Sequence, residues 1–355
     1  MTDNLDQPSG NALTEISEAM GALTTGVPPA VQKTFWKAAG RIFTGMAEVP
    51  ASYFEGKAAV IKAKYESEAA EIRAKHEARS NIIRHSGDAA ASQFADPALT
   101  QRALEYHAAD IVRGQKNREN IALIAAKALR ETTDAENAQP SIDKEVDNEI
   151  SDDWMNTFLK DASLKSITEV QELYGRILAG EVKSPGAFSL KTLQVVSTLE
   201  QRTAKIFQDF CNSSTDFGRV RIIDLGKHAS ENGLASYGLS YNNLSDLVDA
   251  GLVRAEFSEY TTIAKPTAKM FWSCNFAGRD VALVSIEESA EAEEKLQLKG
   301  PSLTQAGTEL RRVVPMEPNK IYFEDFSKWL KDRNLRLMIM HPNERGSYNG
   351  RPFEI

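Results

Sequence analysis

The chain has 355 residues, 42% of them apolar and 26% charged, a globular balance with room for more than one core. Its formal net charge of -8 argues against a chain-wide grip on nucleic acid, and two widely separated cysteines, Cys211 and Cys274, give neither a disulfide framework nor a zinc spacing. No apolar run reaches the roughly 20 residues that cross a bilayer, and the start MTDNLDQPSG is acidic and polar rather than a leader, so a cytoplasmic protein is expected.

Residues 1–51 begin polar, to about Thr25. After Pro28-Pro29, Val31–Val49 reads as an amphipathic helix with Phe35, Trp36, Ala39, Ile42, Phe43 and Met46 on one face and Lys33, Lys37 and Arg41 away from it. Phe35, Trp36, Ile42 and Phe43 are therefore a candidate face for a protein partner or core, or for an anionic membrane surface. Residues 52–130 predict a long helical hairpin. Ser52–Ser86 carries a narrow seam from Phe54 through Ile61, Tyr65 and Ile72 to Ile83; residues 87–96 make a polar turn; Pro97–Arg130 supplies the partner through Leu99, Leu104, Ile111, Ile121, Ile124 and Leu129. His76, His85 and His107 match no ligand spacing, so solvated or half-buried histidines are expected there.

Glu131–Asp153 holds nine carboxylates against Lys144 alone and almost no aliphatic period, which predicts a solvated linker over about 131–151. A central helical core is expected over 152–212. Asp152-Asp153 opens a helix through Trp154 and Phe158, and the next carries Val170, Leu173, Tyr174, Ile177 and Leu178 at core spacing, with Gly180 as its expected stop. Lys183-Ser184-Pro185-Gly186 is a corner, and a third helix runs through Leu190, Leu193, Val196 and Leu199.

The run ELYGRILAGEVKSPGAFSLKTLQVVSTL (Glu172–Leu199) resembles the hallmark of a bacterial family catalogued as domain of unknown function 2806. Its members share Leu-(Trp/Tyr)-x-x-Ile-Leu-Ala-Gly-Glu followed by Pro-Gly-(Ser/Ala)-Phe-Ser. RGQKNRENIAL (Arg113–Leu123) and Asp152-Asp153-Trp154 resemble it too. The resemblance implies a family without assigning a reaction. The same helical corner is more weakly similar to abortive-infection-type proteins, which implies a setting in phage defence.

Residues 213–355 predict an α+β part. Gly218–Leu225 is a strand or a loop leading into a short helix at Lys227–Glu231, and Tyr241–Ala250 is a helix stopped by Gly251. Leu252–Phe257 reads as a strand, and Lys269–Phe276 with Asp280–Ile286 as a hairpin. Helices followed by a hairpin, closed by a Leu303-Thr304-x-x-Gly307 helix, is the order of a winged helix. Lys320–Met340 reads as strand, helix and strand, before an irregular polar tail. The fold class expected is thus mostly α with a smaller α+β part: an N-terminal helical hairpin, a central helical core and a C-terminal winged-helix-like domain.

A DNA reader needs base-edge donors flanked by phosphate-binding cations. Asn242 and Asn243 are candidates for the first, and Arg219, Arg221, Lys227, Arg254 and Arg279 for a nucleic-acid or partner rim. Asp246 and Asp249 on the same helix oppose phosphate, which favours a protein partner. No phosphate loop, dinucleotide fingerprint, nucleophile elbow or HExxH metal motif is present, so neither cofactor, metal nor small-molecule substrate is indicated. The reading is a non-enzymatic interaction or scaffold protein that self-associates through the hairpin. A DNA-binding regulator and a peripheral membrane factor are the alternatives.

Overall fold

The computed structural model describes residues 20–42, 97–136, 149–226, 233–267, 270–287, 294–342 and 348–355. The expected seam helix Ser52–Ser86 with His76 and His85, the turn at 87–96, Phe43, and the short helix Lys227–Glu231 fall outside them. Helix predominates, and among the described residues strand is confined to the second of two compact units, residues 1–187 and 188–355. The boundary falls inside the stretch 152–212 expected as one core.

In the first unit, α1 (Pro29–Ile42) packs against α2 (Pro97–Glu136) and α4 (Thr168–Lys183), while α3 (Asp152–Ser163) packs on α2. Phe35, Trp36 and Ile42 are buried in this unit, so the face read as a membrane alternative is spent on protein packing. Arg41 of α1 holds Asp152 (2.8 Å) and Asn156 (3.1 Å) of α3. Helix α2 is 40 residues long, about 60 Å. It continues to Glu136, into the stretch expected as linker, because a run without glycine or proline has no reason to stop at Arg130.

Small side chains set the distance between α2 and α4. Ala122, Ala125 and Ala126 are buried on α2, and Gly175 of α4 faces Ile124 so closely that a Cβ there would lie 2.4 Å from Ile124 Cγ2. Where the helices meet, Asn117 donates to the Ser163 carbonyl (2.8 Å), and Gln171 donates to the Lys165 carbonyl (2.7 Å) and to Asn117 (3.3 Å). These amides close the backbone left open between α3 and α4. Trp154 stacks on Phe158 (5.1 Å), which meets the Tyr174 ring at 5.7 Å. The Tyr174 hydroxyl is buried and, among the described residues, has no hydrogen-bond partner. Tyr174→Phe should therefore leave stability unchanged or raise it by up to about 1 kcal/mol, read as the urea midpoint; a clear loss would reveal a partner for that oxygen.

Gly180 does not end α4, which runs three residues further to Lys183. The stop is Ser184, whose N–H still reaches the Gly180 carbonyl (3.0 Å) while its own backbone turns extended (φ -141°); Gly186, at φ 88°, follows in the Ser184–Ala187 turn, its N–H taken by the buried Glu181 carboxylate at 2.6 Å. The corner thus supplies its own cap, and no glycine is needed earlier.

The second unit opens with α5 (Leu190–Ser197) and α6 (Gln201–Asn212). A six-stranded antiparallel sheet runs in the order β2 (Val220–Arg221), β1 (Thr215–Asp216), β4 (Trp272–Phe276), β5 (Arg279–Ser285), β7 (Leu335–Pro342), β8 (Tyr348–Pro352). A separate ribbon pairs β3 (Tyr260–Ala264) with β6 (Lys295–Lys299). Helix α7 (Tyr241–Asp249) precedes the ribbon, and α8 (Gln305–Arg311) and α9 (Lys320–Lys331) follow it. The β4–β5 hairpin turns at Ala277-Gly278, as the sequence leads one to expect.

Three expectations fail here. Leu252–Phe257 is not a strand: Val253 makes one bridge to Leu303, and the ladder begins at Tyr260. Lys320–Phe323 is helix rather than strand, because Asn319 caps Tyr322 N–H (3.1 Å) and Tyr322, Phe326 and Leu330 fall four apart on the buried face. The tail is not irregular either, since β8 pairs with β7 and Phe353 packs edge-on to Phe276 (6.0 Å) and Phe323 (5.2 Å). Backbone pairing with β7 supplies what a polar stretch cannot signal through apolar alternation.

Candidate interaction surfaces

At 3.6 residues per turn, Gly114, Asn117, Ile121, Ala125 and Leu129 share one stripe of α2, and all are buried. The same stripe continues toward the N-terminus through Ile111, His107, Leu104 and Ala103, with Leu99 at its margin. There it is exposed: Leu99 by 51%, Leu104 by 43% and Ile111 by 50%. Arg102, Glu105 and Arg113 lie off the stripe, while Asp110, ion-paired with Arg113, falls on it beside His107, so the exposed part mixes apolar and polar side chains. Fully covering one such leucine or isoleucine is worth about 1.5–3 kcal/mol, so a partner that covers Leu104 and Ile111 gains by it.

In the second unit, Ser240 caps α7 through the Asn243 N–H (3.2 Å), and Tyr241 stands 65% exposed, edge-on to Phe257 at 5.8 Å. Asn242 is exposed, whereas the Asn243 amide is spent on the Gly238 carbonyl (2.8 Å). Asp246 pairs with Arg202 at 3.1 Å, and Asp249 is exposed.

The expected basic rim divides. Arg219 is ion-paired with Glu259, whose other oxygen accepts from Ser302 Oγ at 2.6 Å. Arg254 is exposed, but its Nε reaches the Leu303 carbonyl (3.3 Å). Arg221 is buried and cannot lie on a rim: its guanidinium donates to the carbonyls of Glu259 (3.0 Å) and Leu298 (2.8 Å) and to Thr261 Oγ1 (2.5 Å). Arg279 sits three strands away from β2 on β5, over the Phe353 ring at 5.9 Å, and Lys227 is outside the described residues. Three of the predicted arginines thus converge on Glu259 and Ser302. Of these, one is buried, one is neutralised, and only Arg254 offers its charge outward.

Groups suited to chemistry are closed off. Cys211 and Cys274 are buried, and burial pushes both thiols up to about 12, so neither is a thiolate near neutral pH. Among the described residues no three His, Cys, Asp or Glu side chains are placed to hold a metal ion, and His107 is exposed on α2. No described helix is long and apolar enough to cross a membrane.

Gly175, Asn117 and the 184–189 corner, each held by close packing or hydrogen bonds, lie within the runs that carry the sequence hallmark. A family model described as "Protein of unknown function (DUF2806)" matches residues 101–327. The chain belongs to this family. No curated protein and no solved structure matches it. The DUF2806 match begins within the exposed part of α2 and ends within α9, so it takes in both surfaces.

Several surface side chains of this DUF2806 chain escape the sequence reading: the exposed Tyr260, Lys295 and Lys299, and the half-buried Trp329. The signal was present for two of them, because Lys295-Leu-Gln-Leu-Lys299 alternates strictly and its leucines are buried.

Proposed function

We propose that this DUF2806 protein is a non-catalytic interaction protein that self-associates through its long helical arm, the stretch 52–130. One observation carries this reading: a single face of α2 is core from Gly114 onward and is exposed before it, at Leu104 and Ile111. A second copy is the simplest occupant, since a stripe presented by one protomer is presented by all, and symmetric pairing covers both at once. The setting we assign is bacterial phage defence, on the resemblance of the helical corner to abortive-infection-type proteins. We read α7 with the β3–β6 ribbon as a winged-helix-like module turned to protein recognition. Its helix carries no Lys or Arg, and most of the surrounding arginine charge is already engaged.

Light scattering of the full chain tests self-association. The wild type should run as a dimer or larger. Leu104→Glu with Ile111→Glu should give a monomer of unchanged helix content, because both positions are exposed and carry no fold. A monomeric wild type at about 100 μM, where even a weak specific pair is populated, ends this reading.

A further inference from the structure

The β3–β6 ribbon is paired unequally on its two sides. Residues of even number along β6 turn their backbone groups to β3, as Gly300 N–H does to the Glu259 carbonyl (3.0 Å) and the Glu294 carbonyl does to Lys265 N–H (2.8 Å). Odd-numbered residues face the opposite edge. There the Lys299 carbonyl accepts from Asp224 N–H (2.7 Å), and just past the strand the Pro301 carbonyl accepts from Ile222 N–H (3.1 Å). This short third rung ends at Asp224, whose Oδ1 takes the Gly226 N–H (3.0 Å) while Gly226 adopts φ 72°. Among the described residues, the outward N–H and C=O groups of Gln297 and Lys295 have no backbone partner.

The open edge is one wall of a groove of about 800 Å³, and the end of α9, with Trp329, Arg333 and Asn334, is the other. Arg333 lies flat on the Trp329 ring, 3.8 Å from its centroid, which gives that wall a stiff planar surface. Of the groove's carboxylates, Asp224 is occupied by Gly226, and Glu294 by Lys265. Lys295 and Lys299 make no ion pair among the described residues and are exposed, about 13 Å apart along the strand. The lining sets Lys265, Lys295, Lys299 and Arg333 against Asp224, Glu294 and Asp332, too near balance to hold a polyanionic backbone, whereas open strand groups beside two lysines without an ion pair among the described residues suit an extended peptide with a few acidic side chains.

We infer that this groove docks an extended acidic peptide, which adds to β6 as a further strand. Backbone pairing with Gln297 and Lys295 supplies the grip, and a carboxylate opposite Lys295, with the Lys299 side chain reaching in from beyond the Asp224 rung, supplies the preference. The inference is independent of self-association: light scattering reports one and peptide titration the other, so each can fail alone.

The test titrates the full chain with a capped Glu-Val-Glu-Val-Glu-Val-Glu peptide by calorimetry. Two further peptides are N-methylated at every valine or at every glutamate. An added strand points alternate N–H groups at β6, so one methylated form should lose about tenfold or more in affinity and the other should not. Lys295→Glu with Lys299→Glu should weaken the unmodified peptide about tenfold or more, with circular dichroism checking the fold. No binding, or equal binding of both methylated forms, overturns strand addition. An oligothymidylate that binds where the peptide does not would overturn the peptide in favour of nucleic acid.

Discussion

Gly307→Ala should cost about 3 kcal/mol or more in unfolding free energy, read from the shift in denaturant midpoint. Thr304 opens α8 by capping the Gly307 N–H (3.1 Å), and the same residue grips the preceding loop, its N–H donating to the Leu252 carbonyl (3.0 Å) and its hydroxyl to the Gly251 carbonyl (2.7 Å). The Leu252 carbonyl is drawn so far over the first turn that a Cβ at position 307 would lie 2.2 Å from it. With Thr304 holding the Gly251 and Leu252 carbonyls side by side, that oxygen has nowhere to go. Gly40→Ala on α1 is the contrast: nothing lies within 4 Å of a Cβ there, and alanine should hold or gain up to about 1 kcal/mol.

Glu309→Ala should cost about 2–4 kcal/mol, because the buried carboxylate joins α5 to α8. It accepts from the Ser189 N–H (2.7 Å), the Ser189 hydroxyl (2.9 Å), the Thr192 hydroxyl and the Gln305 amide (2.8 Å). Burial by itself raises a carboxyl group's pKa. Here the donors from Thr192, Ser189 and Gln305 outweigh it and hold Glu309 below the ordinary value. A depressed folded pKa contributes stability that is full above the unfolded value, about 4.3, and is lost as pH falls through the folded one. Wild type should therefore lose more stability than Glu309→Gln between about pH 5 and pH 2. Parallel acid profiles for the two proteins would show that the carboxylate is not the linked group.

These two sites also show what the sequence makes legible. The Leu-Thr-x-x-Gly run announces a helix start, and Phe188-Ser189 announces a cap, because both are local. The partners that give these residues their energy, Leu252 and Glu309, lie far along the chain and carry no local signal. Helix α2 and the α3–α4–α5 succession follow from period alone. The sheet is harder. Strands β1 and β2 have two residues each, and β8 is polar enough to pass for a tail. The interaction surfaces are legible in composition but not in placement: Arg219, Arg221 and Arg254 read alike as cations, and only tertiary contacts separate a buried staple from a neutralised pair and an outward charge. The open edge of β6 is invisible in one dimension, since only tertiary pairing shows that Ile222 and Asp224 take Pro301 and Lys299 and leave Gln297 and Lys295.

Arg221 has a consequence for how the second unit comes apart. One planar cation ties β2, the start of β3 and the middle of β6, and a lysine there, with a single donor head, cannot bridge all three. Opening any one of these segments strands a charged fork in the interior, so they should exchange amide protons with deuterium at one common free energy rather than fray in turn. Mass spectrometry of peptic fragments spanning residues 220–224, 259–264 and 295–301 reads this directly, and separate opening rates would show that the cation does not couple them. The docking edge would then be carried by a ribbon that gives way all at once, a stiff rail rather than a yielding one.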